Sequence, residues 1–376
     1  MNILIAGDFC PKDRVSALFE EKDFMSVLEG VRDIASKVDY SIVNLECPII
    51  SGCEKPIRKC GPNLSSSEVA LDALKWAEFD CVTLANNHLR DYGDEAVMNT
   101  MSCLNNKHID YVGGGCNYEE ASQVFIKEIN GIKIAIINAC EKEYSIATRT
   151  GAGANPLNPI EQYYKIQEEK SIADYTLVNI HGGIELYQLP TPQQIQNYHF
   201  FIDCGADVVI NHHQHCYSGY EIYKNKPIFY GLGNFCFDDS DCRNEIWNQG
   251  YMVLLKMEKD ISFEIIPYNQ CNEKAEVQIL SSDDEIKSFN DSIAKLNEII
   301  REKHLCEEKY EEFCANTLHE YKPAIIPMFG TIGHILTRLK ISPFLVTKEQ
   351  SCFLYDVVNC DSHRSRLLKY LQSIIR

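Results

Sequence analysis

Six short polar signatures each follow a short apolar run: Gly7-Asp8, Asn44-Leu45-Glu46, Asn86-Asn87-His88, His181-Gly182-Gly183, His213-Gln214-His215 and Gly233-Asn234-Phe235. Carboxylates, amides and imidazoles are the oxygen and nitrogen donors that Mn, Fe and Zn prefer, and several arriving from separate strand ends suit a two-metal site. Taken singly, most have a simpler reading. Asp8 after a buried strand could be a ligand or the cap of the next helix. Glu46 at a strand end reads as a solvated or capping group, and Asn86-Asn87 is also a turn pair. An amide oxygen is nevertheless a neutral hard ligand, and the following His88, with a pKa near neutrality, can protonate a leaving group. His181 alone reads as structural, although Gly182-Gly183 leave backbone room for a ligand. Glu185 beyond them could orient a ligand or a substrate amine. Asn211-His212-His213-Gln214-His215 is the strongest local signal, because three imidazoles in four positions after a buried strand are costly unless paired or metal-bound. If that segment is extended, His213 and His215 point to the same side.

The elements that must position these residues are legible in the pattern. Apolar runs at 3–6, 41–43, 81–85, 176–180 and 207–210 read as strands covered on both faces. Residues at the carboxyl ends of such strands converge on one crevice. Helices are expected over 14–38, 67–79 and 93–105, and strands over 123–129 and 132–138 around an Asn130-Gly131 hairpin turn. Further strands fall at 220–223, 227–230, 251–257 and 262–266, with a turn at Lys224-Asn225-Lys226-Pro227. A βαβ-like first half followed by hairpins and helices fits a two-sheet α/β sandwich with helices outside. From about residue 280 the chain becomes mostly α-helical. Ser281 to Glu285 begin an amphipathic helix, charged helix continues to about 320, Pro323 and Pro327 break it, and helices follow over 330–339 and 364–375. Two units are expected, 1–275 bearing the site and 276–376 helical.

The 376 residues carry 45% hydrophobic residues, enough for a sizeable core, and a net charge of −18. That charge argues against nucleic acid or an anionic membrane as a partner. An anionic substrate remains open, since bound cations reverse the field locally. No run approaches the ~18 apolar residues of a membrane span. The chain enters a strand at once, with no basic n-region, so no signal peptide is expected. The seventeen cysteines are scattered, odd in number and without a Cys-x-x-Cys pair, which points to reduced thiols in the cytoplasm.

As an ordered set the signatures resemble the CapA family of capsule or poly-γ-glutamate synthesis proteins, related to the calcineurin-like metallophosphoesterases. The resemblance covers about residues 1–240. It rests on Gly7-Asp8, Asn44-Leu45-Glu46-Cys47-Pro48, Leu84-Ala85-Asn86-Asn87-His88 with Asp91-Tyr92-Gly93, and His181-Gly182-Gly183-Ile184-Glu185. It continues through Gly205 to Ile210, His213-Gln214-His215 and Lys226 to Phe235. It implies a four-layer α/β/β/α sandwich of metallophosphoesterase type holding two divalent ions (Mn, Fe or Zn). By analogy Asp8, Glu46, Asn87, His181, His213 and His215 are the ligands, with Glu46 bridging and His88 the catalytic acid. Asn86, Glu185, His212 and Asn234 would support them or touch substrate. The implied function is hydrolysis of a phosphoester or γ-glutamyl amide in a small-molecule or polymeric, anionic substrate. The alternative is a non-catalytic accessory protein that binds a capsule precursor or a synthase of the capsule machinery. The family commonly has Gly at the position of Asn211 and Pro at that of Gln214, changes that alter loop stiffness and not ligands. Metallophosphoesterases usually place His where this chain has Cys10, read here as a buried thiol. The membrane anchor or signal of typical members is not seen, and the region after 280 lies outside the likeness.

Overall fold

The computed structural model describes residues 1–258, 260–317 and 347–375; the helix expected over 330–339 lies outside them. The first third of the chain runs β1 (Asn2–Phe9), α1 (Asp13–Glu20), α2 (Met25–Ala35), β2 (Tyr40–Leu45), α3 (Val69–Trp76), β3 (Cys81–Thr83), α4 (Gly93–Lys107), β4 (Asp110–Val112) and β5 (Gly114–Gly115). Then come α5 (Tyr118–Ala121), β6 (Phe125–Ile129), β7 (Ile132–Cys140), β8 (Gly153–Ala154), α6 (Pro159–Glu169), β9 (Tyr175–His181), α7 (Pro192–Cys204), β10 (Val208–His212), β11 (Tyr220–Tyr223), β12 (Lys226–Phe229) and β13 (Asn234–Cys236). The last described elements are β14 (Gln249–Met257), β15 (Ile261–Gln270), β16 (Val277–Ile279), α8 (Asp283–Arg301), α9 (Lys303–Thr317), α10 (Lys348–Asn359) and α11 (Asp361–Ile375).

One sheet has the order β16-β15-β14-β1-β2-β3-β4, with β13 beside the end of β1; the other has the order β11-β12-β10-β9-β7-β6. Alternation along the strands assigns the layers. Ile3, Ile5 and Ile42 face Ile134, Ile136, Leu177 and Ile210 between the sheets. Leu4, Ala6, Val43 and Leu45 point the other way, onto Val15, Val27, Leu71 and Leu104 of α1 to α4. Ile137, Val178, Ile180 and Val209 pack outward on Ile166 of α6 and Phe201 of α7. The result is the expected four-layer α/β/β/α sandwich. β1, β2 and β3 are mutually parallel, as are β7, β9 and β10, so their carboxyl ends share one rim.

The hairpin turns form as their composition requires. Asn130-Gly131 takes φ of 54° and 81°, and Lys224-Asn225 takes 49° and 63°, the left-handed backbone of a two-residue turn. The helix expected over 14–38 is instead two. Lys22 turns left-handed at φ 61°, and Asp23 accepts hydrogen bonds from the Ser26 backbone and hydroxyl at 3.2 and 2.6 Å. Phe24 then packs between Phe19 and Trp76, an aromatic contact that outweighs continued helical periodicity. Helices α6 and α7 went unforeseen, although Asn158-Pro159 and the Thr191-Pro192-x-Gln194 capping box mark their starts.

Two parts of the C-terminal region join the sandwich. β16 adds to the edge of the first sheet beside β15. On α8, Phe289 and Ile293 close the inter-sheet core, with the Phe289 ring 4.7 Å from Tyr217 and 6.2 Å from Tyr251. Among the described residues no helix is long and apolar enough to cross a membrane. Phe289→Ala is expected to cost about 3–5 kcal/mol by the cavity it leaves in this core. Urea unfolding checks this, and a loss under about 1 kcal/mol would mean that α8 contributes little to the sandwich.

Candidate metal centre

Close backbone approach builds the floor of the site. Asp8 donates its N–H to Gly233 O at 3.1 Å, and a Cβ on Gly7 would stand 1.9 Å from that same oxygen, so only glycine fits at position 7. The register of β1 against β2 slips between Ala6 and Asp8, which turns the Asp8 carboxylate onto the rim. Asp8 Oδ1 accepts from Asn44 Nδ2 at 2.7 Å and lies 3.2 Å from His212 Nδ1. Oδ2 accepts from the His213 backbone at 3.1 Å. Burial alone would raise the Asp8 pKa; His212 3.2 Å away and the neighbouring His181 and His215 outweigh it, and Asp8 stays ionised well below the usual range.

Glu46, one residue past β2, is fully buried, and neither carboxylate oxygen has a hydrogen-bond partner. Its Oε1 lies 3.5 Å from His181 Nε2 and 3.7 Å from His215 Nε2. Burial and the charge of Asp8 push its pKa well up. His181, ending β9, sits with Nε2 3.0 Å from Asn87 Oδ1 and 3.2 Å from His213 Nδ1. Burial holds His181 well below its ordinary pKa and His213 at about 4, so both present neutral nitrogens.

The expected extended geometry of His213 and His215 is replaced by left-handed backbone at both, φ 94° and 55°. Side-chain alternation therefore does not bring them together. The loop is held by the Asp8 contact to the His213 backbone and by Asn234, whose Oδ1 meets His215 Nδ1 at 2.9 Å and whose Nδ2 donates to His215 O. Non-glycine residues in this region are strained, and such strain gathers at sites. Trp247 and Phe237 flank the His215 ring at 4.7 and 5.4 Å.

All eleven residues singled out from the sequence meet at or beside this rim. Asn86 braces the loop from behind: its Nδ2 donates to Leu45 O and its Oδ1 accepts from the His88 backbone. His212 lies against Asp8, and Glu185 is exposed at the mouth, where the charges of His215, His213 and His88 act on it. His88 is buried, with Nδ1 2.6 Å from Asp91 Oδ2; the short contact to a carboxylate assigns the proton to Nδ1 and leaves Nε2 free. Cys10 is fully buried against Cys47, and burial pushes its thiol well up, as for an inert core cysteine. Sequence reasoning missed Lys59 and Glu143. Lys59 lies 2.5 Å from Asp91 Oδ1 and 3.0 Å from His88 Nδ1, and Glu143 Oε2 accepts from Asn87 Nδ2 at 3.2 Å. Both sit in irregular loops with no motif around them.

Two donor groups, Glu46-His181-His213 and Asp8-Glu46-His215, each have their ligand atoms within 4.8 Å of one another, and they share Glu46. The donor set fits divalent cations. The two orphaned Glu46 oxygens give such cations something to satisfy. Carboxylates, imidazoles and an amide gather at the common rim of an α/β/β/α sandwich, a fold of metallophosphoesterase type. The sequence model of the family described as "Bacterial capsule synthesis protein PGA_cap" matches residues 2–239, and the chain belongs to that family. It is 30% identical over 253 residues to the "Capsule biosynthesis protein CapA" of Bacillus anthracis, covering 65% of this chain and 62% of that one. A Mycobacterium tuberculosis protein described as a probable polyglutamine synthesis accessory protein is 26% identical over 229 residues, 57% of this chain and 58% of that one. The chain thus spans about three fifths of the length of these relatives. The 5'-nucleotidase precursor of Thermus thermophilus aligns over 78% of this chain and 58% of its own, with 10% identity and a TM-score of 0.40.

Glu46 gives a test in chelator-treated protein. Its pKa is raised, so its cost is absent below the unfolded carboxylate value and grows as pH rises through the folded one. Glu46→Gln is therefore expected to stabilise the metal-free protein at pH 7 by about 1–3 kcal/mol, the scale of relieving an uncompensated buried group. Differential scanning calorimetry reads this, and a variant of equal or lower stability would refute the stranded-charge picture.

Proposed function

We propose that the chain is a cytoplasmic, metal-dependent hydrolase of a capsule-synthesis pathway. Two divalent ions, Mn, Fe or Zn, would be held by Asp8, Glu46, Asn87, His181, His213 and His215, with Glu46 between them. The observation that carries this reading is the Glu46 carboxylate, buried without a partner and common to both donor groups. When bound, the ions would supply Lewis-acid polarisation of a phosphoryl or acyl oxygen and activate a water. The chain's own residues do the rest. Asp91 holds the Nδ1 proton of His88, so Nε2 is the atom that faces a leaving group and serves as its acid. Asn86 fixes the backbone from which Asn87 and His88 diverge. His212 and Asn234 hold Asp8 and His215 in place. Residues 1–275 form the site-bearing unit in this reading, and 276–376 a mostly helical C-terminal region. The substrate bond is a phosphoester or a γ-glutamyl amide. Seventeen unpaired thiols support a reducing compartment.

One observation favours a second reading. Burial, with the Lys59 charge 3.0 Å away, lowers the His88 pKa and disfavours the protonated acid. A non-catalytic accessory protein that binds a capsule precursor or a synthase needs no such acid.

Elemental analysis separates metal binding from catalysis. A His213→Ala, His215→Ala double variant is expected to lose its metal, and full occupancy would sink the ligand assignment. His88→Ala should keep metal and fold while turnover of an identified ester or amide falls by roughly 10²–10⁴-fold. The loss should be smallest for good leaving groups. Metal lost in His88→Ala makes His88 a ligand; metal-loaded wild type inert on every ester and amide favours the accessory reading.

A further inference from the structure

The C-terminal helices reach the candidate metal centre through the segment that leaves β7. Glu141, Glu143 and Tyr144 are each held by α10, α11 or the residue between them. Ser362 donates to Glu141 through its backbone N–H at 3.2 Å and its hydroxyl at 2.8 Å, and Cys360 Sγ lies 3.1 Å from the same carboxylate. Tyr144 donates to Cys352 O at 2.6 Å and its ring packs 5.6 Å from Tyr355. Asn359 Nδ2 donates to Glu143 O at 3.4 Å. The other end of Glu143 faces the centre: Oε2 bonds Asn87, and Oε1 is 4.0 Å from His213 Nε2.

This clamp brings Asp356, on α10, to the metal side of the molecule. Asp356 is 7% exposed. Its Oδ2 lies 3.5 Å from His363 Nε2, and its Oδ1, buried, has no hydrogen-bond partner. The charges that act on Asp356 besides His363 are Lys59 and Glu185, and Asp356 is the strongest charge acting on Glu143. Three carboxylates from three separate segments, Glu143, Glu185 and Asp356, are therefore close enough to act on one another beside the candidate metal centre. Lys59 is already matched by Asp91. With two dications partly offset by Asp8 and Glu46, the three further carboxylates would leave this region at a formal charge of about −1 when all are ionised; burial raises the Asp356 pKa, so a cationic partner is what its ionised form needs. A purely anionic substrate gains little there, whereas a buried carboxylate oxygen without a donor has a strong need for one.

We propose that Asp356, Glu143 and Glu185 form a receptor for a primary ammonium group, so that the substrate of the proposed hydrolase carries an amine close to the bond set over the ions. The proposal rests on the two-ion reading for the position of the scissile bond, and on the unpartnered Asp356 oxygen for the amine. The C-terminal helices thereby contribute a specificity residue to a site whose metal donors all come from the first 215 residues.

A matched pair of probes, 2-aminoethyl phosphate and ethyl phosphate, differs only in the amine. Isothermal titration calorimetry on the full chain, loaded with Mn, should give tighter binding of the aminated probe by about tenfold or more, the scale of one charge-assisted hydrogen bond. Asp356→Asn, and independently Glu185→Gln, should erase most of that preference, with Mn content measured on each variant to confirm the fold. Equal affinities in Mn-loaded wild type, or a preference untouched by both substitutions, overturn the proposal. So does an Asp356→Asn variant that loses one equivalent of Mn, which would make these carboxylates an ion site. Wild-type protein that takes up no Mn would refute the two-ion reading, whereas a preference for the amine that survives in metal-free protein supports the ammonium receptor by itself.

Discussion

The structure depends on a carboxylate placed where water cannot reach it and no donor meets it. Glu46 follows directly on a strand that is buried along its whole length, and its side chain lies 3.5 Å from His181 and 3.7 Å from His215 with neither oxygen hydrogen-bonded. An isolated ionised carboxylate in such surroundings costs several kcal/mol. The four layers exist in part to withstand that cost. Extensive apolar burial between and outside the sheets supplies the stability that the rim gives up, and the strained φ angles of His213 and His215 draw on the same reserve.

Two kinds of order hold the rim. Parallel strands set the positions of Asp8, Glu46 and His181 at their carboxyl ends, where the spacing is fixed by the sheet ladder. The amide and imidazole groups from loops are fixed by side-chain hydrogen bonds to those strand-borne groups: Asn44 to Asp8, Asn86 to Leu45, Asn234 to His215. The loops are thus as firmly placed as the strands, which is what a site needs to prefer one cation geometry over another.

Most of this was legible in the chain because the site is built from strand ends. A buried strand announces itself as an apolar run, and the polar residue that ends it is then conspicuous; Asp8, Glu46, His181 and His212 are of this kind. The two-residue turns were equally plain from Asn130-Gly131 and Lys224-Asn225. What escaped notice depends on long-range contact. Lys59 and Asp91 are 32 positions apart and meet only after the loop folds over His88. Glu143 reads as one more acidic loop residue until Asn87 is placed beside it. The break at 21–24 was hidden because the apolar spacing of α1 and α2 is compatible with one continuous helix, and only the packing of Phe24 decides otherwise. The left-handed histidines follow from contacts to Asp8 and Asn234, which no local pattern encodes.

The clamp between the β7 exit and the C-terminal helices also orders events during synthesis. All the candidate donors are made well before α10 and α11, and domains begin to fold as their N-terminal parts emerge. Until Ser362 and Cys360 arrive, nothing among the described residues hydrogen-bonds the Glu141 side chain, and Glu143 is not yet backed by Asn359. The nascent chain thus passes through an interval in which the rim is assembled but its last wall is missing. A cation would have its easiest entry to the candidate centre then, before the later helices pack against the segment that leaves β7.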